Sequence, residues 1–108
     1  MSYAVEYFHV RVRAAVESWP VGLLPDYARM LELLREFGPE LRMPHSRALG
    51  EGLFELRVRG REGIGRAFHC FLPGQRVVIL HALVKSTRTT PARDLRIARS
   101  RFEEVLHG

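Results

Sequence analysis

Between Leu53 and Val84 the hydrophobic pattern of the chain settles into a period of two. Phe54, Leu56 and Val58 alternate with Glu55, Arg57 and Arg59. That spacing predicts a half-buried strand with a charged face, because successive strand side chains point to opposite sides. Gly60-Arg61-Glu62-Gly63 reads as a hairpin turn, followed by a returning strand from Ile64 to Leu72. Pro73-Gly74-Gln75 makes a second turn, and the run Val77 to Val84 is apolar enough for a central strand. Strands joined by turns this short pair antiparallel, so the prediction is a three-stranded meander.

The remaining pattern is mostly helical. Residues 3–8 are rich in strand formers and predict a short first strand. His9 to Ser18 suits a short helix, ended at Trp19-Pro20 because a residue before proline avoids helical angles. A second helix begins near Pro25, which fits a first turn, with Asp26 complementing the helix dipole. Tyr27, Met30, Leu31, Leu34 and Phe37 form its apolar stripe, and Gly38-Pro39 closes it. The stretch from Pro44 to Gly50 is polar and carries no prediction of regular structure. After the meander, Thr90 is the expected N-cap of a last helix with Pro91 at its first position. Leu95, Ala98, Phe102 and Val105 would pack it on the sheet. The expected fold class is α+β: short strand, helical hairpin, meander, C-terminal helix.

A chain of 108 residues predicts one domain, residues 1–108, with a core that folds without staples. Its only cysteine, Cys70, excludes an internal disulfide and a multi-cysteine zinc site. No apolar run approaches membrane length, and the first residues do not read as a signal peptide. The expectation is a cytoplasmic protein with no membrane partner.

Charge is divided unevenly. Residues 1–54 hold six cations and seven acids, whereas residues 55–108 hold eleven cations and five acids. Sixteen of the seventeen cations are arginine, whose planar guanidinium suits phosphate or carboxylate, so a polyanionic partner is expected.

The hairpin gives this charge a geometry. With 60–63 as the turn, Arg59 faces Ile64 and Arg57 faces Arg66 on one sheet face. Like charges directly opposite repel. Either an anion or water lies between the two guanidiniums, which makes a phosphate clamp, or Glu55 neutralises one of them on a solvated face. Lys85-Ser86-Thr87-Arg88-Thr89-Thr90 then places two cations and four hydroxyls before the last helix, a setting that favours an anion. His69 and His81 fall inside predicted strands. His69, three residues from Arg66, could serve as an acid or base near neutral pH. No carboxylate cluster is available for a divalent metal, because Glu55 and Glu62 stand nearly alone among arginines. Phosphoryl chemistry here would proceed without metal or other cofactor.

Four linked blocks carry a family resemblance: Leu53-Phe54-Glu55-Leu56-Arg57-Val58-Arg59, Gly63-Ile64-Gly65-Arg66-Ala67-Phe68, Val77-Val78-Ile79-Leu80-His81-Ala82-Leu83-Val84-Lys85, and Thr90-Pro91. In order and spacing they resemble the phage-derived HigB-like toxins of the RelE/ParE toxin superfamily. The resemblance implies a RelE-like microbial RNase-type fold and the toxin of a type II toxin–antitoxin system. It implies messenger RNA cleaved in the ribosomal A site by attack of its own 2′-hydroxyl, with ribosomal RNA as a second partner. It also implies a cognate helix-turn-helix antitoxin encoded nearby.

Residue by residue, Arg66 matches the strand arginine that is catalytic in relatives, and Arg57 the arginine of the Leu-x-Glu-Leu-Arg block. Lys85 stands where the last strand ends, a region that supplies a catalytic cation, histidine or tyrosine in relatives. Arg59, Thr87 and Arg88 would contact RNA. Glu55 and His69 both stand open as acid or base. The chain departs from the pattern at Ser86, where a second lysine is usual, and at His69, where an aromatic such as tyrosine is common. Two rival readings use the same charge: a ParE-like inhibitor of DNA gyrase that cuts no RNA, and a basic nucleic-acid-binding module without catalysis.

Overall fold

The computed structural model describes residues 2–85 and 89–108. The elements are β1 (Ala4–Tyr7), α1 (Val10–Glu17), α2 (Leu24–Phe37), β2 (Ser46–Gly50), β3 (Leu53–Gly60), β4 (Gly63–Leu72), β5 (Arg76–Lys85) and α3 (Ala92–His107). The class is α+β, and the sheet has five strands in the order β1-β5-β4-β3-β2. The expected meander forms the middle of it, β3, β4 and β5 pairing antiparallel. Strand β1 lies parallel beside β5, with Ala4 level with Arg76 and Tyr7 with Ile79. Among the described residues, no helix is long and apolar enough to cross a membrane.

The sheet is covered on both faces, which is why its central strands are apolar on both sides. Helices α1 and α2 cover one face. Val12, Val16, Trp19, Leu23, Met30 and Leu34 pack there on Leu56, Val58, Ala67, Val77 and Ile79. Trp19 lies directly on Gly65 of β4, where an added Cβ would sit 2.5 Å from the indole ring. Helix α3 covers part of the opposite face, with Ala98 and Phe102 on Leu53, Phe68, Cys70, Val78 and Leu80. The part of that face left beside α3 carries the charged residues.

Helix ends follow from local chemistry. His9 caps α1, its Nδ1 accepting from the Arg11 amide at 3.1 Å. Gly38 ends α2 at φ 55°, a left-handed conformation open to glycine. Phe37, expected in the apolar stripe, is the last residue of α2 and is 45% exposed instead.

Two elements differ from expectation. Ser46–Gly50, read as a polar stretch, is the edge strand β2 and pairs antiparallel with the first half of β3. Neither composition nor alternation marks it; pairing with β3 makes it a strand. The second is a bulge in β5. His81 is level with Phe68 and Ile79 with His69, so Leu80 is an extra residue on β5. The bulge reverses the alternation, and Leu80 and His81 both turn towards the α3 face. Nη1 of Arg101 on α3 donates to the Leu80 carbonyl at 2.7 Å.

Candidate active site

The register of the hairpin is the expected one. Arg57 pairs with Arg66 and Arg59 with Ile64, and Ile64 pairs in turn with Lys85 on β5. Residues in register share a face. Arg57, Arg59, Arg66, Lys85 and Glu55 therefore lie on the α3 side of the sheet. Arg47 of β2, level with Glu55, joins them.

Glu55 resolves the repulsion between the opposed arginines by serving both. Its Oε1 accepts from Arg57 Nε at 2.8 Å, and its Oε2 accepts from Arg66 Nη1 at 3.3 Å. Thr90 completes the cluster: its hydroxyl donates to Glu55 Oε2 at 2.7 Å and accepts from Arg66 Nη1 at 3.1 Å. Burial alone would push the Glu55 carboxyl up. The Thr90 hydroxyl and the two guanidiniums outweigh burial and hold it below its ordinary value. The three ionised groups carry a net +1 in a site largely closed to water, where a charge acts at longer range than at the surface.

Exposure separates the arginines. Arg66 and Glu55 are fully buried, and the Arg57 side chain is 10% exposed. Among the described residues, the side-chain hydrogen bond of Arg57 runs through Nε to Glu55, and its Nη groups remain for an external anion. Arg59 and Lys85 are exposed and flank the cluster one register row away. Arg66, expected to meet a phosphate directly, is fully buried on the central strand β4, with the Thr90 hydroxyl against its Nη1. Its charge is present, but its surface is not.

His69 does not join this group. It lies on the α1–α2 face with Leu56 and Ala67, stacked on Phe54 with ring centroids 5.8 Å apart. Its Nδ1 contacts the Ala67 carbonyl at 3.1 Å, and complete burial lowers its pKa to about 4. A role as acid or base beside Arg66 is therefore corrected: the alternation of β4 sends residues 66 and 69 to opposite faces. Burial pushes the Cys70 thiol up to about 11, which leaves it a poor nucleophile. Ser86, Thr87 and Arg88 lie outside the described residues.

Thr90 is also corrected. Helix α3 starts at Ala92, Pro91 occupies the N-cap position, and the Thr90 hydroxyl bonds the Glu55–Arg66 pair instead of the helix amides. A buried carboxylate is the stronger acceptor, because hydrogen bonds to ionised groups exceed neutral capping bonds. Sequence reasoning also passed over Arg47, hidden with β2, and the contact of His81 Nε2 with Asp94 Oδ1 at 2.7 Å. That pair ties the first turn of α3 to β5. The open side of His81 faces a recess shared with Arg11 and Arg101, away from Arg57. Among the described residues, no three His, Cys, Asp or Glu side chains group as metal ligands would.

Residues 15–103 match the family described as phage derived protein Gp49-like (DUF891). The chain belongs to this family. No curated protein matches it significantly. Among solved structures, the fold of this Gp49-like chain is similar to one in the crystal structure of the archaeal RelE–RelB complex from Pyrococcus horikoshii OT3. The TM-score is 0.57 at 21% identity, over 82% of this chain and 100% of that one. The Gp49-like chain thus has a RelE-like fold.

Proposed function

We propose that this Gp49-like protein is the toxin of a type II toxin–antitoxin pair, a HigB-like endoribonuclease that cleaves messenger RNA in the ribosomal A site. The observation that carries the proposal is the pair Arg57–Arg66, held face to face around Glu55 on the open part of a RelE-like sheet. The reaction is attack of a 2′-hydroxyl oxygen on the adjacent phosphorus, its proton passing to water, with departure of the 5′-oxygen of the next nucleotide, which takes a proton from water and leaves a 2′,3′-cyclic phosphate. The transition state gains negative charge on the phosphoryl oxygens, and a fixed guanidinium stabilises it without reorganising.

Arg57 is the group that meets the phosphate, through the Nη edge that Glu55 leaves available. Arg66 positions Glu55 and adds its buried charge at short range. Lys85 and Arg59 neutralise flanking phosphates, with Thr87 and Arg88 as further RNA contacts. Glu55 is a poor base in this setting, because its proton affinity is lowered and its lone pairs are engaged. Catalysis rests on charge stabilisation and positioning, with no metal assigned. The partners in this reading are messenger RNA, ribosomal RNA and a small antitoxin encoded nearby. The similar archaeal fold belongs to a RelE–RelB complex, which supports the last of these.

Induced expression in bacteria tests the proposal. Growth arrest with transcripts cut within codons, abolished by Arg57→Ala and by Arg66→Ala, is the expected result. Arrest with DNA-damage signalling and intact transcripts would move the protein to the gyrase inhibitors. Normal growth would leave a basic binding module.

A further inference from the structure

Strand β3 outruns its edge partner. Ser46 of β2 is level with Leu56, and the last backbone bond on that side runs from the Arg57 amide to the His45 carbonyl at 2.9 Å. β3 continues to Gly60. Alternation along an antiparallel strand points the Arg59 N–H and C=O the same way as the Arg57 N–H, past the end of β2. A recess of about 250 Å³ occupies the place of the missing strand, walled by Asp26, Arg29 and Met30 of α2, by His45, and by Arg57 and Arg59.

We propose that this recess is a subsite for one unpaired nucleotide of an RNA chain, next to the phosphate met by Arg57. The inference rests on the ribonuclease reading and extends it to substrate positioning. Three arginines line the space against one acid, and Asp26 already accepts two bonds from Arg29, at 3.2 and 2.8 Å. The remaining charge is positive, which suits a polyanion.

A guanidinium plane and an imidazole ring are both platforms on which an unstacked base rests. Arg29 and His45 supply one of each. Arg57 belongs to the recess and to the Glu55 cluster alike, so a chain crossing it enters both. Arg59, about 6.6 Å further along the strand, can take the next phosphate. A volume near the lower limit of ligand pockets admits a nucleotide and not a duplex. Strand addition by a peptide is disfavoured, because among the described residues the Arg57 carbonyl and the Arg59 N–H and C=O are all that is left to pair before Gly60 ends the strand.

The test uses an all-2′-O-methyl RNA hexanucleotide, which has no 2′-hydroxyl to attack, titrated into the whole protein and followed by amide NMR. Shifts at Arg29, His45 and Arg59 are expected. Arg29→Ala and His45→Ala should each weaken binding about tenfold, the loss of one stacked base. The Arg29–Asp26 pair is at the surface, so removing it costs the fold little. In ribosomal cleavage the same variants should raise KM, keep kcat and alter which codon positions are cut. Unshifted Arg29 and His45 amides, or wild-type affinity in both variants, would overturn the subsite. So would occupation of the recess by an antitoxin segment in place of RNA. Oligonucleotide binding in the recess by a protein that cuts no transcript would keep the subsite and remove the nuclease reading.

Discussion

Arg57 and Arg66 stand directly opposite each other across β3 and β4, with the single carboxylate of Glu55 bonded to both. Two guanidiniums in this position make the fold depend on an acid inside the proposed site. Glu55→Gln keeps the shape but leaves the opposed cations uncompensated. Breaking a buried ion pair by removing one partner costs roughly 3–5 kcal/mol, and urea denaturation should show a loss of that order. Inorganic phosphate should restore more stability to the variant than to the wild type, since an anion at the Nη edge of Arg57 supplies the charge lost with the carboxylate. Equal stabilisation of both would show that phosphate does not reach the cluster.

Thr90 distinguishes a network residue from a helix cap. A cap tolerates Thr→Asp and often gains from it. Here the hydroxyl donates to Glu55 Oε2, so Thr90→Asp sets one carboxylate against another. Thr90→Ser should be near neutral and Thr90→Val should lose about 1–3 kcal/mol, the usual cost of an unsatisfied buried partner. Thr90→Asp should be the worst of the three in thermal unfolding. Improved stability of Thr90→Asp would return Thr90 to a capping role.

The hairpin register is legible in the sequence because its cause is local. A four-residue glycine turn sets which residues oppose, and alternation sets which share a face. Arg57, Arg66 and Glu55 can therefore be placed together from the sequence. The position of Thr90 cannot, because it depends on where α3 docks, a long-range outcome that competes with an ordinary capping bond. β2 is hidden for a related reason: Ser46-Arg47-Ala48-Leu49-Gly50 has little strand propensity and is held by its neighbour. His69 is misplaced among the site residues because proximity in sequence to Arg66 says nothing about face; an odd separation along a regular strand does.

His69 predicts a pH dependence of stability separate from that of Glu55. Its folded pKa, about 4, lies below the ordinary value of 6.5 because burial penalises the charged ring. The unfolded chain therefore binds the proton more readily. Stability is complete above pH 6.5 and falls as the pH drops towards 4, by up to about 1.4 kcal/mol per pH unit. Glu55, whose folded pKa is lowered, contributes stability that is present above its ordinary value of 4.5 and is lost only below it. Urea midpoints at about pH 7 and pH 5, either side of the ordinary histidine value, should differ in the wild type and converge in His69→Leu. An undiminished difference in His69→Leu would assign the slope to another group.

The arginines of α3 divide into two pairs that substitution should separate. Arg99 Nη2 donates to the Leu49 carbonyl at 2.9 Å, and Arg101 Nη1 donates to the bulge carbonyl of Leu80 at 2.7 Å while its guanidinium lies over the Phe8 ring. These two fasten the helix to β2 and β5. Arg93 and Arg96 are exposed on the outer surface of the same helix. Arg101→Ala leaves the Leu80 carbonyl without its donor and should cost about 1–3 kcal/mol. Arg93→Ala with Arg96→Ala should leave unfolding unchanged. If the exposed pair contacts an RNA backbone, that double variant should lower the salt slope of RNA binding by about one per arginine removed, uniformly across sequences. Arg101→Ala should leave that slope intact wherever the protein stays folded. Titrating ribosomal RNA fragments at several salt concentrations measures both slopes, and equal slopes for the double variant and the wild type would remove Arg93 and Arg96 from the RNA contact.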